Sequence, residues 1–495
     1  MKKIKLFLYV AVASLSILSC RDAIEIVQPG EITEEVAIQT VADLESFLVG
    51  NVYGAVDTSS EIQLGSIFTD ETALTSVNPG HYFNDYRYGL MTNNGNVAST
   101  WLNHYRAINR VNRLLKSAER ITPANATEQA EYNSILAEAR TIRAFSYLQL
   151  QSYFTTNLRD DNALGVMLLD GVPEIDENLP RVSNAQIWAH IEDDLNYAEA
   201  NLLPLTDYKF VTPQLVDAIR ARMYTYRGNY TLAKQYAQQV INNSPALTIA
   251  TPYQQATFQN NPSSNPYKRM WQDVGQGEII FALSRPSVGP GGNIASNWTT
   301  NTTNLTGTPL LGMSYNLFTL LSEPNDVRLP SFVDPTTYDA SNTTDIIVID
   351  KYPGKGNTPL KNDIKVFRVS EMYLILAEAA VYENQLAIAA DYIQQVRNAR
   401  RYSGTAPLPS YANQQAGYQD VLKERRVELC FEGHRYVDLR RLGAIAGVSN
   451  DRNADDDYFN PNTPLTLSIT DHRWTFPIPN AEKLGNPNIQ QNPGY

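Results

Sequence analysis

The chain has 495 residues, 43% of them hydrophobic, enough to bury a sizeable core in one large domain or two joined ones. Its 40 basic side chains are outnumbered by 52 acidic ones, giving a formal charge of −12. That balance argues against a nucleic-acid partner and against holding to anionic lipid by charge, since both need clustered Lys and Arg.

The first twenty residues carry an address. Met1-Lys2-Lys3-Ile4-Lys5 is basic, Leu6 to Leu18 is apolar, and Ser19-Cys20 is a small residue followed by cysteine. The apolar run is too short to span a bilayer and has the layout of a secretory signal. With Ile17-Leu18-Ser19 before it, Cys20 reads as a bacterial lipoprotein processing site, at which acyl chains on Cys20 would hold the protein to a membrane. An ordinary signal cut near Ser19, with Cys20 incidental, is the plainer alternative. On the lipoprotein reading, residues 1–19 are the signal, 20–40 the lipidated N-terminus and tether, and 41–495 the body. The one other cysteine, Cys430, sits in an apolar context and is expected to be a buried free thiol, so no disulfide framework is available.

Helical periods then dominate. Trp101, Tyr105, Ile108, Val111 and Leu115 recur at steps of three and four, as do Ile135, Ala139, Ile142, Phe145 and Leu148, and again Ile187, Ile191, Leu195 and Ala198. The same period makes Trp101 a core residue. Two later segments share a template. Ala221 is followed twelve residues on by Ala233, then Ala237 and Val240; Ala377 is followed twelve on by Ala389, then Ile393 and Val396. Gly228-Asn229 and Glu383-Asn384 interrupt them. Small residues at matching points of paired helices allow close packing, as in tetratricopeptide hairpins, although generic helical hairpins would give a similar pattern.

From about residue 251 to 365 periodicity fades and Asn, Thr, Pro, Gly and Ser become dense. A loop insertion of that length is usually functional. It carries Trp271, Trp298, Tyr315 and Tyr338. Residues 80–96 are similar in kind, with Tyr82, Phe83, Tyr86 and Tyr88. The run Asp455-Asp456-Asp457 has the chemistry to hold calcium but reads better as a solvated turn.

Several stretches together resemble the SusD/RagB family of surface lipoproteins. The strongest runs from Glu424-Arg425-Arg426 through Phe431-Glu432-Gly433-His434-Arg435 to Asp438-Leu439-Arg440-Arg441. Others are the Trp101/Tyr105/Ile108/Asn112 helix, Arg143-Ala144-Phe145-Ser146-Tyr147, Arg368-Val369-Ser370-Glu371, and the ending Phe476-Pro477-Ile478-Pro479 with Gln491-Asn492-Pro493-Gly494-Tyr495. The resemblance implies a mainly α fold: a tetratricopeptide-like helical-repeat scaffold of four pairs with a large loop-rich ligand-binding face. It also implies a non-catalytic lipoprotein, anchored in the outer membrane and facing the cell surface. Such a protein captures glycan, or in some members peptide, as the lid of a SusC-like TonB-dependent transporter.

Within that frame the conspicuous charged block, with Glu428 and Glu432 on one helix face beside Arg425 and Arg435, is expected to be a structural hydrogen-bond network rather than chemistry. For the ligand, Asp70 and Arg368 suit hydroxyl-rich molecules, either together or as a structural pair, and Tyr82, Tyr86, Tyr88 and Trp298 are the candidate stacking platform, with Tyr315 beside them. No Walker loop, dinucleotide turn or HExxH motif is present, and the five histidines lack metal spacing, so no cofactor, metal or catalytic residue is expected. Two other classes stay in view. A surface glycoside hydrolase would need a carboxylate pair among 52 acids, and a helical scaffold that binds only proteins would not need the aromatic loops.

Overall fold

The long helices begin where the sequence periods begin, several of them at polar caps. In a computed structural model of the protein, which describes residues 34–495 apart from 175–176, 255–263, 289–290, 299–308, 339–344 and 357, the first is α1, Ser59–Phe68. Asn94 caps α2 (Gly95–Ala118) and Asn125 caps α3 (Ala126–Phe154), each accepting two backbone N–H bonds. Ser183 and Gln186 form a capping box for α4 (Asn184–Asn201), and Thr212 with Pro213 opens α5 (Pro213–Arg227). Gly228, in the left-handed conformation, ends α5, and Asn229 caps α6 (Tyr230–Asn243). The last four are α7 (Val369–Tyr382), α8 (Leu386–Ala399), α9 (Gln414–Leu429) and α10 (Arg435–Ala446). The expected Cys20 and the signal lie outside the described residues, as does most of the tether.

The pairs α2/α3, α5/α6, α7/α8 and α9/α10 are helical hairpins, with α4 laid along α3 and α6 against α7. The shared template falls on two of them. Ala221, Ala233 and Ala237 are fully buried between α5 and α6, and Ala377 and Ala389 between α7 and α8. Alanine at these points lets the helix axes approach closely. Trp101 is also buried, ringed by Tyr105 and Phe154, as its period requires.

Among the described residues three two-stranded antiparallel sheets edge the scaffold: β1 (Thr72–Leu74) with β5 (Leu311–Met313), β2 (Leu164–Met167) with β3 (Arg181–Ser183), and β4 (Ile279–Leu283) with β6 (Ile364–Arg368). The 251–365 stretch is therefore less of a loop than expected. It supplies β4, β5 and the start of β6, and helical turns at Pro266–Trp271, Tyr315–Leu321 and Arg328–Phe332. Elements this short complete too few turns to leave a 3.6-residue period in sequence.

The charged block is a buried network, but with partners other than those expected. Helix α9 ends at Leu429, and Phe431 and Gly433, both at positive φ, turn the chain, so Glu432 leaves the face of Glu428. Glu428 accepts from Arg368 and Arg400 at 2.8 Å each and from Arg328 at 3.2 Å. Glu432 meets Arg368 and Lys351 at 2.7 Å each, and Glu278 completes the cluster with 2.8 Å bonds to Arg368 and Arg400. Arg425 instead pairs with Asp438, and Arg435 with Asp70. Cys430 is buried and free. The network draws together β6, α8, α9, the turn after α9 and the start of β4.

One irregular helix has a measurable consequence. The π-helical stretch Leu48–Tyr53 brings the Tyr53 hydroxyl to Glu138 on α3, to which it donates at 2.5 Å, while the Val211 N–H donates to Tyr53 at 2.8 Å. Burial pushes the Glu138 carboxyl up to about 7 from its usual 4.5, against the pull of the Tyr53 hydrogen bond. The native state therefore keeps this proton to higher pH than the unfolded chain does. Its contribution is full below about pH 4.5 and is lost as pH rises through about 7. Glutamine keeps an acceptor for Tyr53 without the charge. The stability of Glu138→Gln relative to the parent should rise by about 2 kcal/mol between acid and mildly basic pH, read from urea midpoints. A difference that stays flat with pH would contradict this assignment.

Candidate functional site

Tyrosines on loops can either fill the core or face solvent, and the structure separates the two groups. Tyr86 and Tyr88 are 1% and 2% exposed. Their rings sandwich the Arg452 guanidinium at 4.0 and 4.2 Å from the ring centres. Arg452 in turn donates to the carbonyls of Ile67, Phe68 and Thr69, the open C-terminal end of α1. These two tyrosines therefore serve the scaffold and offer no face to a ligand. Trp298 is buried as well, stacked on Tyr352 with centroids 5.7 Å apart and edge-on to Phe431. Tyr82 is half-buried beside His81, at positive φ.

The proposed Asp70–Arg368 pair is not formed. Asp70 is fully buried and accepts a bidentate bond from Arg435 at 2.8 and 2.7 Å. Burial opposes its ionisation, but Arg426 and Arg435 overcome that and hold its carboxyl well below the usual range. Arg368 lies in the network around Glu428. Of the seven sequence candidates, Asp70, Tyr86, Tyr88, Trp298 and Arg368 are thus removed from the surface, each because a charged or aromatic partner inside the body claims it.

Tyr82 and Tyr315 remain, and Tyr315 points to the site. A cleft of ≈710 Å³ opens over the β1–β5 sheet, within the range of small-molecule sites. Its floor is the strand pair itself, in which Ala73 faces Gly312 and Thr72 faces Met313. Gly312 is fitted closely: a Cβ there would stand 3.2 Å from the Ile347 carbonyl oxygen. Three tyrosines line the walls while keeping most of their area in solvent: Tyr315 at 56%, Tyr338 at 60% and Tyr458 at 64%. Phe318 supports Tyr338, with ring centroids 6.4 Å apart.

Acidic groups share the cleft with the rings. Asp345 and Asp455 are exposed at the rim, and Asp456 is buried, accepting from the Tyr315 N–H at 2.9 Å. Burial pushes the Asp456 carboxyl up to about 6, with the Tyr315 and Asn453 N–H groups pulling it down. The 455–457 run is therefore neither a calcium loop nor a free turn. Asp457 pairs with Arg87 at 2.8 Å, Asp456 anchors the start of the Tyr315–Leu321 helix, and only Asp455 is solvated. Among the described residues no cluster of acids, histidines or cysteines is arranged to hold a metal. Flat apolar faces beside hydrogen-bond acceptors suit a molecule with C–H faces and hydroxyl edges.

Tyr338 is a site residue that the sequence marked only as an aromatic of the 251–365 stretch, and Tyr458 is one that it did not mark at all. Its only signal is an aromatic pair, Tyr458-Phe459, in a polar segment without helical or strand period.

The SusD family model matches residues 334–495, and the model described as "Starch-binding associating with outer membrane" matches residues 29–215. The chain is similar to SusD-like protein P2 of Formosa agariphila, at 24% identity with 100% of both chains covered. It is similar in fold to a SusD superfamily protein of Bacteroides thetaiotaomicron, with a TM-score of 0.74, 25% identity, and 92% of this chain and 100% of that one covered. A SusD-like carbohydrate binding protein of Bacteroides vulgatus superposes with a TM-score of 0.72 at 19% identity, covering 91% of this chain and 97% of the other. The hairpin scaffold, the buried charge network and the order of matched segments along the whole length have one common explanation: the chain belongs to the SusD/RagB family of non-catalytic binding proteins.

Proposed function

We propose that this protein is a cell-surface lipoprotein that captures oligo- or polysaccharide without cleaving it. In this reading Cys20 carries the lipid that holds it at the outer membrane, and the bound glycan passes to a SusC-like TonB-dependent transporter over which the protein closes as a lid. The observation that carries the reading is the set of Tyr315, Tyr338 and Tyr458, three largely exposed rings on one cleft. Exposed apolar patches rimmed by polar residues mark ligand-binding grooves. Tyrosine offers a sugar ring an apolar face and a hydroxyl edge together. The family description and the carbohydrate-binding relative support glycan as the cargo.

Calorimetric titration with a panel of polysaccharides, oligosaccharides and peptides tests this, with reducing-sugar release followed in the same samples. Saturable binding to one glycan class with no release is the expected result. Binding to peptides alone would replace the cargo, and release of reducing sugar would overturn the non-catalytic reading. Co-purification with the transporter tests the lid.

A further inference from the structure

A second cleft, of ≈590 Å³, has a different chemistry. It is walled by Val49, Tyr53, Phe210, Leu283 and Pro286, with the Tyr53 and Phe210 rings edge-to-face at 5.5 Å. Into it project Arg106, Lys209 and Arg285, against one carboxylate, Asp57. Asp57 is occupied in its own turn, accepting from the Ser59 N–H at 3.1 Å and hydroxyl at 2.7 Å.

None of the three cations makes an ion pair among the described residues. Arg285 is partly buried; among the described residues its guanidinium donates to the carbonyls of Val56 and Ser284, and the charges of Asp57 and Asp363 also act on it. Several buried arginines elsewhere are matched to acids, as with Arg222 and Glu371, Arg328 and Asp326, or Arg441 and Glu378, whereas Arg181 and Arg452 are satisfied mainly by backbone carbonyls. A chain of net charge −12 thus gathers three cations against one carboxylate in the lining of a concave, partly aromatic site. Such a cluster is self-repulsive when empty and is relieved by an anion.

We propose that this cleft is a second subsite, which binds the oxyanion of an acidic sugar, a uronate carboxylate or a sulfate ester. The inference rests on the carbohydrate reading above and names the ligand class within it. The two clefts lie off opposite ends of α1, with Asp57 just before it and Ala73 to Ser76 just after it. The helix between them has ten residues and is about 15 Å long. Arg106 and Arg285 suit bidentate recognition of an oxyanion, and Lys209 adds a point charge.

The test is titration of the full chain with three probes: oligogalacturonate, a sulfated galactan oligosaccharide and a neutral cello-oligosaccharide. One of the two acidic probes should bind more tightly than the neutral one, with an affinity that falls as salt rises. The double variant Arg106→Gln/Lys209→Gln should weaken it on the order of tenfold relative to the neutral probe. Arg106 is exposed and Lys209 partly so, and circular dichroism checks that the variant is folded. Uronate and sulfate are told apart by which probe responds. Equal binding of all three probes, failure of both acidic probes, or an unchanged affinity in the double variant would overturn the subsite. If Tyr338→Ala and Tyr458→Ala abolish binding while the double variant changes nothing, carbohydrate capture stands and the acidic subsite fails. If the double variant weakens the acidic probe while the tyrosine variants are silent, the subsite stands and the tyrosine cleft fails.

Discussion

Replacing Glu428 by glutamine is expected to destabilise the protein by about 3–5 kcal/mol, the range found when one member of a buried charge network is removed. Glutamine nearly preserves the shape, so the loss comes from charge. Arg368, Arg400 and Arg328 converge on this one carboxylate at 2.8, 2.8 and 3.2 Å, and both Glu428 oxygens are engaged. The variant would leave three buried guanidinium groups with less negative charge than they were folded around. Burial favours the neutral acid at this position, but Arg400 and Arg368 overcome it and keep the carboxyl well below its usual range. A carboxylate lowered in this way contributes stability that is present above its unfolded pKa and is lost as pH falls through its native one. The parent should therefore lose stability in acid more steeply than Glu428→Gln. Urea midpoints across pH check both parts. Asp455→Asn, at an exposed rim position, serves as the comparison and should move stability by less than about 0.5 kcal/mol. A loss below about 1 kcal/mol in Glu428→Gln would mean that the network is dispensable to the fold.

This network also shows what a sequence can and cannot disclose. Glu424, Arg425, Glu428 and Arg435 were legible as a structural block because the resemblance to the SusD/RagB family implies that role, and because charges four apart on a helix can form charge-assisted hydrogen bonds. Which partners they find was not legible. Arg368 and Arg400 arrive from β6 and the end of α8, and Lys351 from the 251–365 stretch, so the pairing depends on tertiary approach. The hairpins were readable in detail because Ala221 with Ala233, and Ala377 with Ala389, repeat one spacing that only paired helices satisfy. The tyrosines were hardest. Tyr86, Tyr88 and Tyr315 look alike in sequence, all on non-periodic segments. Their fates diverge because Arg452 arrives between the first two to cap α1, and nothing similar covers the third. Composition suggests that rings are available for stacking, whereas burial decides which ones remain so.

That sorting changes which variants report on binding. Tyr338→Ala and Tyr458→Ala are expected to weaken glycan binding by on the order of tenfold each, and by on the order of a hundredfold together if the rings act independently. Each ring is more than half exposed, so neither contributes enough packing for its loss to unfold the protein. Stability should stay within about 0.5 kcal/mol of the parent. Tyr315 is a less clean probe, because its backbone N–H is tied to the buried Asp456 and its ring opens the Tyr315–Leu321 helix. Trp298→Ala would mislead in the opposite sense. It would empty a packed position against Tyr352 and Phe431, costing about 3–5 kcal/mol, and any loss of binding would follow from a disturbed fold. The informative experiment therefore pairs the two measurements on each variant, affinity by calorimetry and stability by urea midpoint. Lost affinity at unchanged stability in Tyr338→Ala and Tyr458→Ala assigns the ligand to the cleft over β1 and β5. Retained affinity in both, by a protein that still binds glycan, would move the ligand away from that cleft.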